Sequence, residues 1–436
     1  MYAALRNPPI GSRSTTRFSF RLDGLITIPC FRFLRHKMVK KQLLIAAVFS
    51  LLFVSFWVLL WPTTLDHPIA FLPNVTISDE WNTFLKDHIF PAAYEGRKVE
   101  AWKIDFKNEE QNCLIFDRPD DAYCEGVTVL LGVLSMPSHR SLRTHLRSLH
   151  RKIFHRMAQS NVTVKIVFII GEEANSERPL KMLRRESYLY GDLLLTSITE
   201  SYRNLYIKSY ILLQYHAFFC SDAPFLTKMD DDVVIGFEQF TRMINKLPKD
   251  DVAIYGRLNR DAIVGRDERS KWYVPVERYS PPNFPVYSNG LGYIISRDAV
   301  KLLLLRAVTI TSITIEDALI TGIVASAAGV PRRNCEKYVG TFLEKFPEQW
   351  PCDDEGHAYL AMFHLRKKFS PETFDKFHKK ISELKCSLFP FPIFWLFCRY
   401  FNFLQSHSEL LILSIILCSK REDDRKNNGV IVVKEQ

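Results

Sequence analysis

The chain has 436 residues, 47% of them hydrophobic, with 32 phenylalanines and a formal charge of +10. That length accommodates one large domain and additional segments. The basicity is not a nucleic-acid footprint: nine basic residues lie between Arg6 and Lys41, opposed only by Asp23, and there is no zinc-finger spacing and no repeat period.

Residues 43–61 form a 19-residue run without a charge, about the length of a bilayer-crossing helix. Arg32, Arg35, Lys37, Lys40 and Lys41 flank its N-terminal side, and no Lys or Arg follows until Lys86. The positive-inside rule therefore predicts a cytosolic tail at 1–42, a transmembrane signal anchor at 43–61 and a lumenal remainder. A cleaved signal peptide fits less well, because the run is long and no small-residue cleavage site follows it. Met38 offers a later start, which would make residues 1–37 an extension. The sequons at Asn74 and Asn161 agree with a lumenal chain. Cys113, Cys124, Cys220, Cys335, Cys352 and Cys386 are scattered without a Cys-x-x-Cys pair, which favours disulfides over a thiolate metal site. Proximity suggests Cys113 with Cys124 and Cys335 with Cys352, although spacing does not fix connectivity.

Residues 62–125 carry Pro62, Pro68, Pro73 and Pro91 with mixed periodicity, and predict a stem with some local structure. From 126 to 386 the pattern sharpens into a domain. Residues 127–134 read as a strand, 139–157 as a basic amphipathic helix and 164–170 as a second strand. Residues 175–188 read as a helix and 192–195 as a short strand. Residues 201–219 read as a helix with Leu205, Leu212, Tyr215 and Phe219 on one face. Strands alternating with helices predict a parallel, Rossmann-like α/β sheet.

The apolar run 223–229 then leads into Asp230-Asp231-Asp232. Three acids at a strand's end would sit side by side at the carboxyl edge of the sheet, where such sheets bind ligands. Carboxylates so placed repel one another and call for a cation. Hard oxygen ligands suit Mg²⁺ or Mn²⁺, partners of diphosphates. Alone, such a triplet is more often a solvated turn. The cluster Tyr287-Ser288-Asn289-Gly290-Leu291-Gly292-Tyr293 is, in isolation, a hairpin turn, and Glu316-Asp317 an ordinary acidic helix start. Residues 387–436 form an atypical hydrophobic tail, with aromatic or apolar stretches at 388–404 and 410–418. A mis-assigned coding end, a membrane-associating segment and a true second span compete there, the first being preferred.

Taken together, these pieces resemble glycosyltransferase family 31, the inverting β1,3-galactosyl- and β1,3-N-acetylhexosaminyltransferases, from about residue 127 to 386. Ser135-x-Pro137 with Arg143 and Arg147 resembles the first motif, with Leu149-His150 where the family has Thr-Trp. Glu186, Tyr190-Gly191-Asp192 and Ser201-Tyr202-Arg203-Asn204-Leu205 with Lys208 resemble the second. Lys228 to Asp232 matches the metal motif. Lys271-Trp272-Tyr273 and the 287–293 cluster resemble the acceptor-side block. The family commonly has Cys-Ser-Gly-Gly-Gly-Tyr there, so the chain departs at Ser288, Asn289 and Leu291. Glu316-Asp317 and Phe363-His364 resemble the remaining blocks.

The resemblance implies a GT-A Rossmann-like nucleotide-sugar-binding fold and a Golgi membrane enzyme, single-pass type II, with its catalytic domain lumenal. It implies inverting, Mn²⁺-dependent transfer of a hexose from a UDP-sugar to a glycan hydroxyl in β1,3 linkage. Galactose comes first and an N-acetylhexosamine second, and the acceptor is carried on glycoprotein or glycolipid. By the same resemblance Asp317 is the base with Glu316 beside it. Asp232, His364 and Asp230 would hold metal. Asp230, Asp231, Arg143, Arg147 and Lys208 would contact the nucleotide-sugar. Trp272, Tyr273, Tyr287, Asn289, Gly290 and Gly292 would line the acceptor side, with Tyr279 and Tyr293 as further aromatic faces for sugar rings. A homodimer is an open assembly. A catalytically inactive chaperone or binding subunit, kept open by Leu149-His150 and the changed glycine block, is the alternative. A calcium module is disfavoured because no EF-hand loop follows the triplet.

Overall fold

The computed structural model describes residues 77–156, 161–173, 177–343, 347–365 and 371–386. The expected tail, anchor, Asn74 sequon and 387–436 segment lie outside them. Among the described residues no helix is long and apolar enough to cross a membrane.

The described chain is a mixed α/β fold around one ten-stranded sheet. It opens with helix α1 (Ile77–His88) and strands β1 (Ile89–Tyr94), β2 (Arg97–Phe106) and β3 (Glu109–Asp117). Then come β4 (Val129–Ser135), α2 (Arg140–Arg156), β5 (Val164–Glu172), α3 (Glu177–Tyr190), β6 (Leu193–Thr199) and α4 (Leu205–Phe219). The second half holds β7 (Phe225–Asp230), β8 (Val234–Ile235), α5 (Phe237–Asn245), β9 (Ile254–Asn259), β10 (Tyr287–Ser296) and α6 (Arg297–Ala307). A π-helical segment, Ala318–Val324, runs into α7 (Ala325–Ala327). The last elements are β11 (Arg332–Asn334), β12 (Val339–Leu343), β13 (Gln349–Trp350), β14 (Met362–Leu365), α8 (Pro371–Ser382) and β15 (Lys385–Cys386).

The sheet order is β1-β2-β3-β6-β5-β4-β7-β10-β9-β11. Strands β6, β5, β4 and β7 are parallel, as the alternating pattern predicts, but antiparallel pairs flank them. The sheet is therefore mixed rather than parallel. Alternate residues of β4 face opposite cores: Leu130 and Leu134 join α1, α4 and α6, while Val129, Leu131 and Val133 join α2, α3 and α5. Burial on both faces explains the unbroken apolar runs of these strands.

Two expectations need correction here. The segment read as a stem supplies α1 and β1–β3 to this body. Trp102, Ile104 and Phe106 alternate inward along β2 and are almost wholly buried, a strand period hidden by the polar residues between them. Helix α4 is not amphipathic: Tyr206 through Ala217 are all buried, because neighbouring elements cover it on every side.

The disulfides also differ from expectation. They join Cys124 to Cys220 and Cys352 to Cys386, leaving Cys113 and Cys335 free and buried. Cys113 lies in β3 opposite Trp102, whereas Cys124 ends a short turn that reaches the C-terminus of α4. Separation along the chain was a poor guide because the sheet brings distant ends together.

Candidate active site

The chain order places the site. β5 follows β4 on one side, and β7 returns to its other side, so the loops after β4 and β7 face a topological switch point. Leu134 of β4 is in register with Asp230 at the end of β7, which sets the acid triplet beside the Ser135–Pro137 turn.

The triplet does not cluster. Asp230 Oδ1 accepts from Lys228 Nζ at 2.8 Å, Asp231 Oδ2 lies 2.8 Å from His139 Nδ1, and Asp232 Oδ2 lies 3.3 Å from His364 Nε2. Mutual repulsion is relieved by three different bases of the protein. Burial pushes the Asp230 carboxyl up to about 7, with Lys228 opposing. Desolvation works against charge on Asp232, but the hydrogen bond and charge of His364 together with the Lys228 charge hold this carboxyl below its usual range. His139 is raised, chiefly by its hydrogen bond to Asp231.

His364 arrives through a second, three-stranded sheet. β14 runs antiparallel to β8 with Phe363 opposite Val234, so its next residue passes the end of the triplet. Asp232 keeps 58% of its side-chain surface exposed. A carboxylate oxygen and an imidazole nitrogen at this spacing, one still open to solvent, fit a Mn²⁺-type ion. Asp230 is turned toward Lys228. Among the described residues, the acids and imidazole whose ligand atoms all fall within 4.8 Å are instead Asp353, Glu355 and His357, an acidic cluster on a surface loop.

Asp317 lies on the other side of Lys228. Its Oδ2 accepts from the Gly290 N–H and its Oδ1 from the Ala318 N–H, both at 2.9 Å. Burial, joined by the neighbouring charge of Glu316 and opposed by Lys228, pushes this carboxyl up to about 6. The π-helical turn begins one residue later, and the Asp317 carbonyl accepts from Thr321 Oγ1 at 2.6 Å. Strand β10 is irregular here. Ser288 pairs with Leu258 and Tyr293 with Gly256, so the residues between leave the β9 ladder and their peptides turn to the site.

Glu316 has another part. It is 6% exposed and accepts from Ser209 Oγ at 2.7 Å and from the Tyr293 hydroxyl, while Lys228 Nζ sits 3.1 Å from its other oxygen. Both its oxygens are thus engaged, next in the chain to Asp317. Tyr293, expected to face a sugar, is buried in this cluster because β10 turns it inward. Tyr279 stacks on Phe284. Tyr273 lies outward, its hydroxyl 3.5 Å from Glu268. Trp272 is 55% exposed, and the Tyr202 phenol is raised by desolvation and then by Asp317. The Tyr287 phenol is likewise raised by burial and Asp317, up to about 12. Tyr202, Trp272 and Tyr287 therefore form an aromatic rim near Asp317. Asn289 Oδ1 accepts from the Leu291 N–H, and a Cβ on Gly292 would stand 3.0 Å from the Met362 sulfur, a tight contact.

Arg143, Arg147 and Lys208 are placed differently from the expected nucleotide contacts. Arg143 is 1% exposed, forms a two-bond fork with Glu186 at 2.8 and 2.9 Å, and donates to the Met136 carbonyl at 2.6 Å. Arg147 forms the same kind of fork with Asp192, both bonds at 2.7 Å. Lys208 binds Glu200 and the Ser135 carbonyl. Buried charge requires such partners, and these three cations find theirs within the protein. His139, Tyr202 and the hub role of Lys228 were not singled out from sequence. His139 follows the Ser-x-Pro turn and the other two lie inside quoted motifs, but their contacts appear only across the fold. Asn161 is exposed at the start of β5's approach.

Residues 147–336 match the family model described as Galactosyltransferase, which spans the triplet, the 287–293 cluster and Glu316-Asp317. Over these residues the chain is similar to this galactosyltransferase family. Among similar proteins, the mouse lactosylceramide 1,3-N-acetyl-beta-D-glucosaminyltransferase is 26% identical over 50% of this chain and 58% of its own length. The human counterpart is 24% identical over 67% and 76%. Mouse beta-1,3-galactosyltransferase 1 is 28% identical over 36% and 49%. The chain thus spans little more than half the length of several relatives it matches. A bifunctional glycosyltransferase structure aligns at TM-score 0.34 and 9% identity, covering 64% of this chain and 55% of that one.

Proposed function

We propose that this chain is an inverting hexosyltransferase of GT-A type. It moves galactose first, and an N-acetylhexosamine second, from a UDP-sugar to a glycan hydroxyl in β1,3 linkage. The observation that carries the reading is Asp317: a carboxylate raised to about 6, fixed by two backbone N–H groups, next to an aromatic rim. A base tuned near the working pH combines a deprotonated form with useful basicity. Asp317 takes the proton of the acceptor hydroxyl as that oxygen attacks the anomeric carbon, while UDP leaves from the opposite face. Asp232 and His364 would hold a divalent ion, which would neutralise charge growing on the leaving diphosphate. Asp230 and Asp231 would face the ribose side of the nucleotide. Tyr202, Trp272 and Tyr287 present ring faces to the acceptor. The matched family and its β1,3-transferase relatives support the linkage class. A type II Golgi placement with a lumenal glycan acceptor completes the reading.

The test is Mn²⁺-dependent release of UDP by the purified full-length chain, with UDP-galactose, UDP-N-acetylglucosamine and UDP-N-acetylgalactosamine each offered to a panel of acceptor sugars. Acceptor-stimulated release from one donor supports the reading. No UDP binding and no release from any donor would favour a non-catalytic binding subunit.

A further inference from the structure

The two halves of the site meet at one buried ammonium. Lys228 is 2% exposed, and its Nζ donates to the Gly290 carbonyl at 2.6 Å and to Asp230 Oδ1 at 2.8 Å, and sits 3.1 Å from Glu316 Oε2. Two hydrogen bonds and an ion pair therefore hold the ammonium from three sides. Each acceptor belongs to a different part of the machinery. Asp230 opens the triplet. Glu316 precedes Asp317 in the chain. Gly290 carries, on the neighbouring N–H, the hydrogen bond that holds Asp317 Oδ2.

Asp230 and Glu316 would both demand a buried cation in any case, and that alone would account for a lysine. It does not account for the shortest of the three bonds, which goes to an uncharged carbonyl. That carbonyl lies in the irregular stretch of β10, where the β9 ladder does not pin the peptide. A cation on the carbonyl of residue 290 fixes the residue whose N–H faces Asp317. Hydrogen bonds in series also polarise one another in a low-dielectric interior. The same ammonium therefore touches the donor-side acid and sets the seat of the base.

We propose that Lys228 is a positioning residue that couples the donor side of the site to Asp317 by fixing Gly290. The proposal rests on the reading of Asp317 as the base. Its consequence is a separation of binding from turnover. Without the ammonium, UDP and metal still bind at Asp232 and His364, but Asp317 is no longer held on the acceptor hydroxyl.

The test uses the full-length chain carrying Lys228→Met, which keeps the length of the side chain and removes the charge. A second variant, Gly290→Ala, strains the same link without altering any charge, since a Cβ there would stand 3.1 Å from Asp317 Oδ2. UDP affinity in Mn²⁺, donor KM and transfer kcat are measured for each. The expected result is UDP affinity and donor KM within about threefold of wild type, and kcat lower by about 10²-fold for Lys228→Met and about tenfold for Gly290→Ala. If Lys228→Met does not fold, Gly290→Ala alone decides. Wild-type kcat in the folded variants overturns the proposal, as does a parallel loss of UDP affinity and kcat. A wild-type chain that binds no UDP and transfers nothing overturns the proposed function itself, and this proposal with it.

Discussion

Asp317 Oδ2 accepts the Gly290 N–H at 2.9 Å, so the carboxylate proposed as the base is held by the backbone of an antiparallel strand rather than by another side chain. Its carboxyl is pushed up to about 6, first by burial and then by Glu316. Protonation disables a base, so activity is present above this value and lost as pH falls through it. The expected kcat/KM profile is flat near pH 7 and drops about tenfold per unit well below pH 6. A pH-rate series with a saturating metal concentration checks it, and an acid limb near pH 4 would contradict it.

Asp317→Ala removes the proposed base and leaves Asp232 and His364 in place. Transfer is expected to fall by about 10²–10⁴-fold, with UDP affinity in Mn²⁺ unchanged. Titration calorimetry and initial rates on the same preparation separate the two quantities. Equal loss of both would place Asp317 on the donor side.

Asp232→Ala leaves His364 without the carboxylate 3.3 Å away. Metal-dependent UDP binding is expected to disappear, whereas metal-free thermal stability changes little because the Asp232 side chain is largely exposed. His364→Ala should weaken Mn²⁺ by more than about tenfold. Undiminished Mn²⁺ stimulation in Asp232→Ala would remove the ion from this position.

Arg143→Met breaks a buried fork with Glu186, which keeps Arg147 Nη1 2.8 Å from its Oε1. A cost of about 1–3 kcal/mol in stability is expected, seen as a lower thermal midpoint. In the fraction that remains folded, UDP affinity is expected to be unchanged. A stable variant with weakened UDP binding would restore the arginine to the nucleotide site.

Much of the site was legible in the sequence because its acids stand in consecutive or adjacent positions. Asp230 to Asp232 end an apolar run, and Glu316-Asp317 open a helical one. The strand and helix order around β4 to β7 was legible for the same local reason. What escaped were properties set across the sheet. Arg143 and Lys208 look identical in sequence whether they face a phosphate or a buried glutamate, and only Glu186 and Glu200 brought against them decide the matter. Tyr293 and Trp272 are both aromatic, yet one is turned into the core by β10 and the other left outside. The free Cys113 was beyond sequence reasoning because its partner by proximity, Cys124, is claimed by a residue 96 positions away.

That pairing has its own check. Peptide mapping of the non-reduced chain is expected to yield Cys124–Cys220 and Cys352–Cys386 links, with Cys113 and Cys335 alkylated only after unfolding, because both are buried. A Cys113–Cys124 link would contradict the placement of β3.

The most direct test of the central claim is acceptor-stimulated UDP release by the purified full-length chain, run in Mn²⁺ beside its Asp317→Ala variant. Release from one UDP-hexose by the wild type, lost in the variant while UDP still binds, is the result expected here. UDP release at equal rates from both proteins would contradict Asp317 as the base and the transfer mechanism built on it.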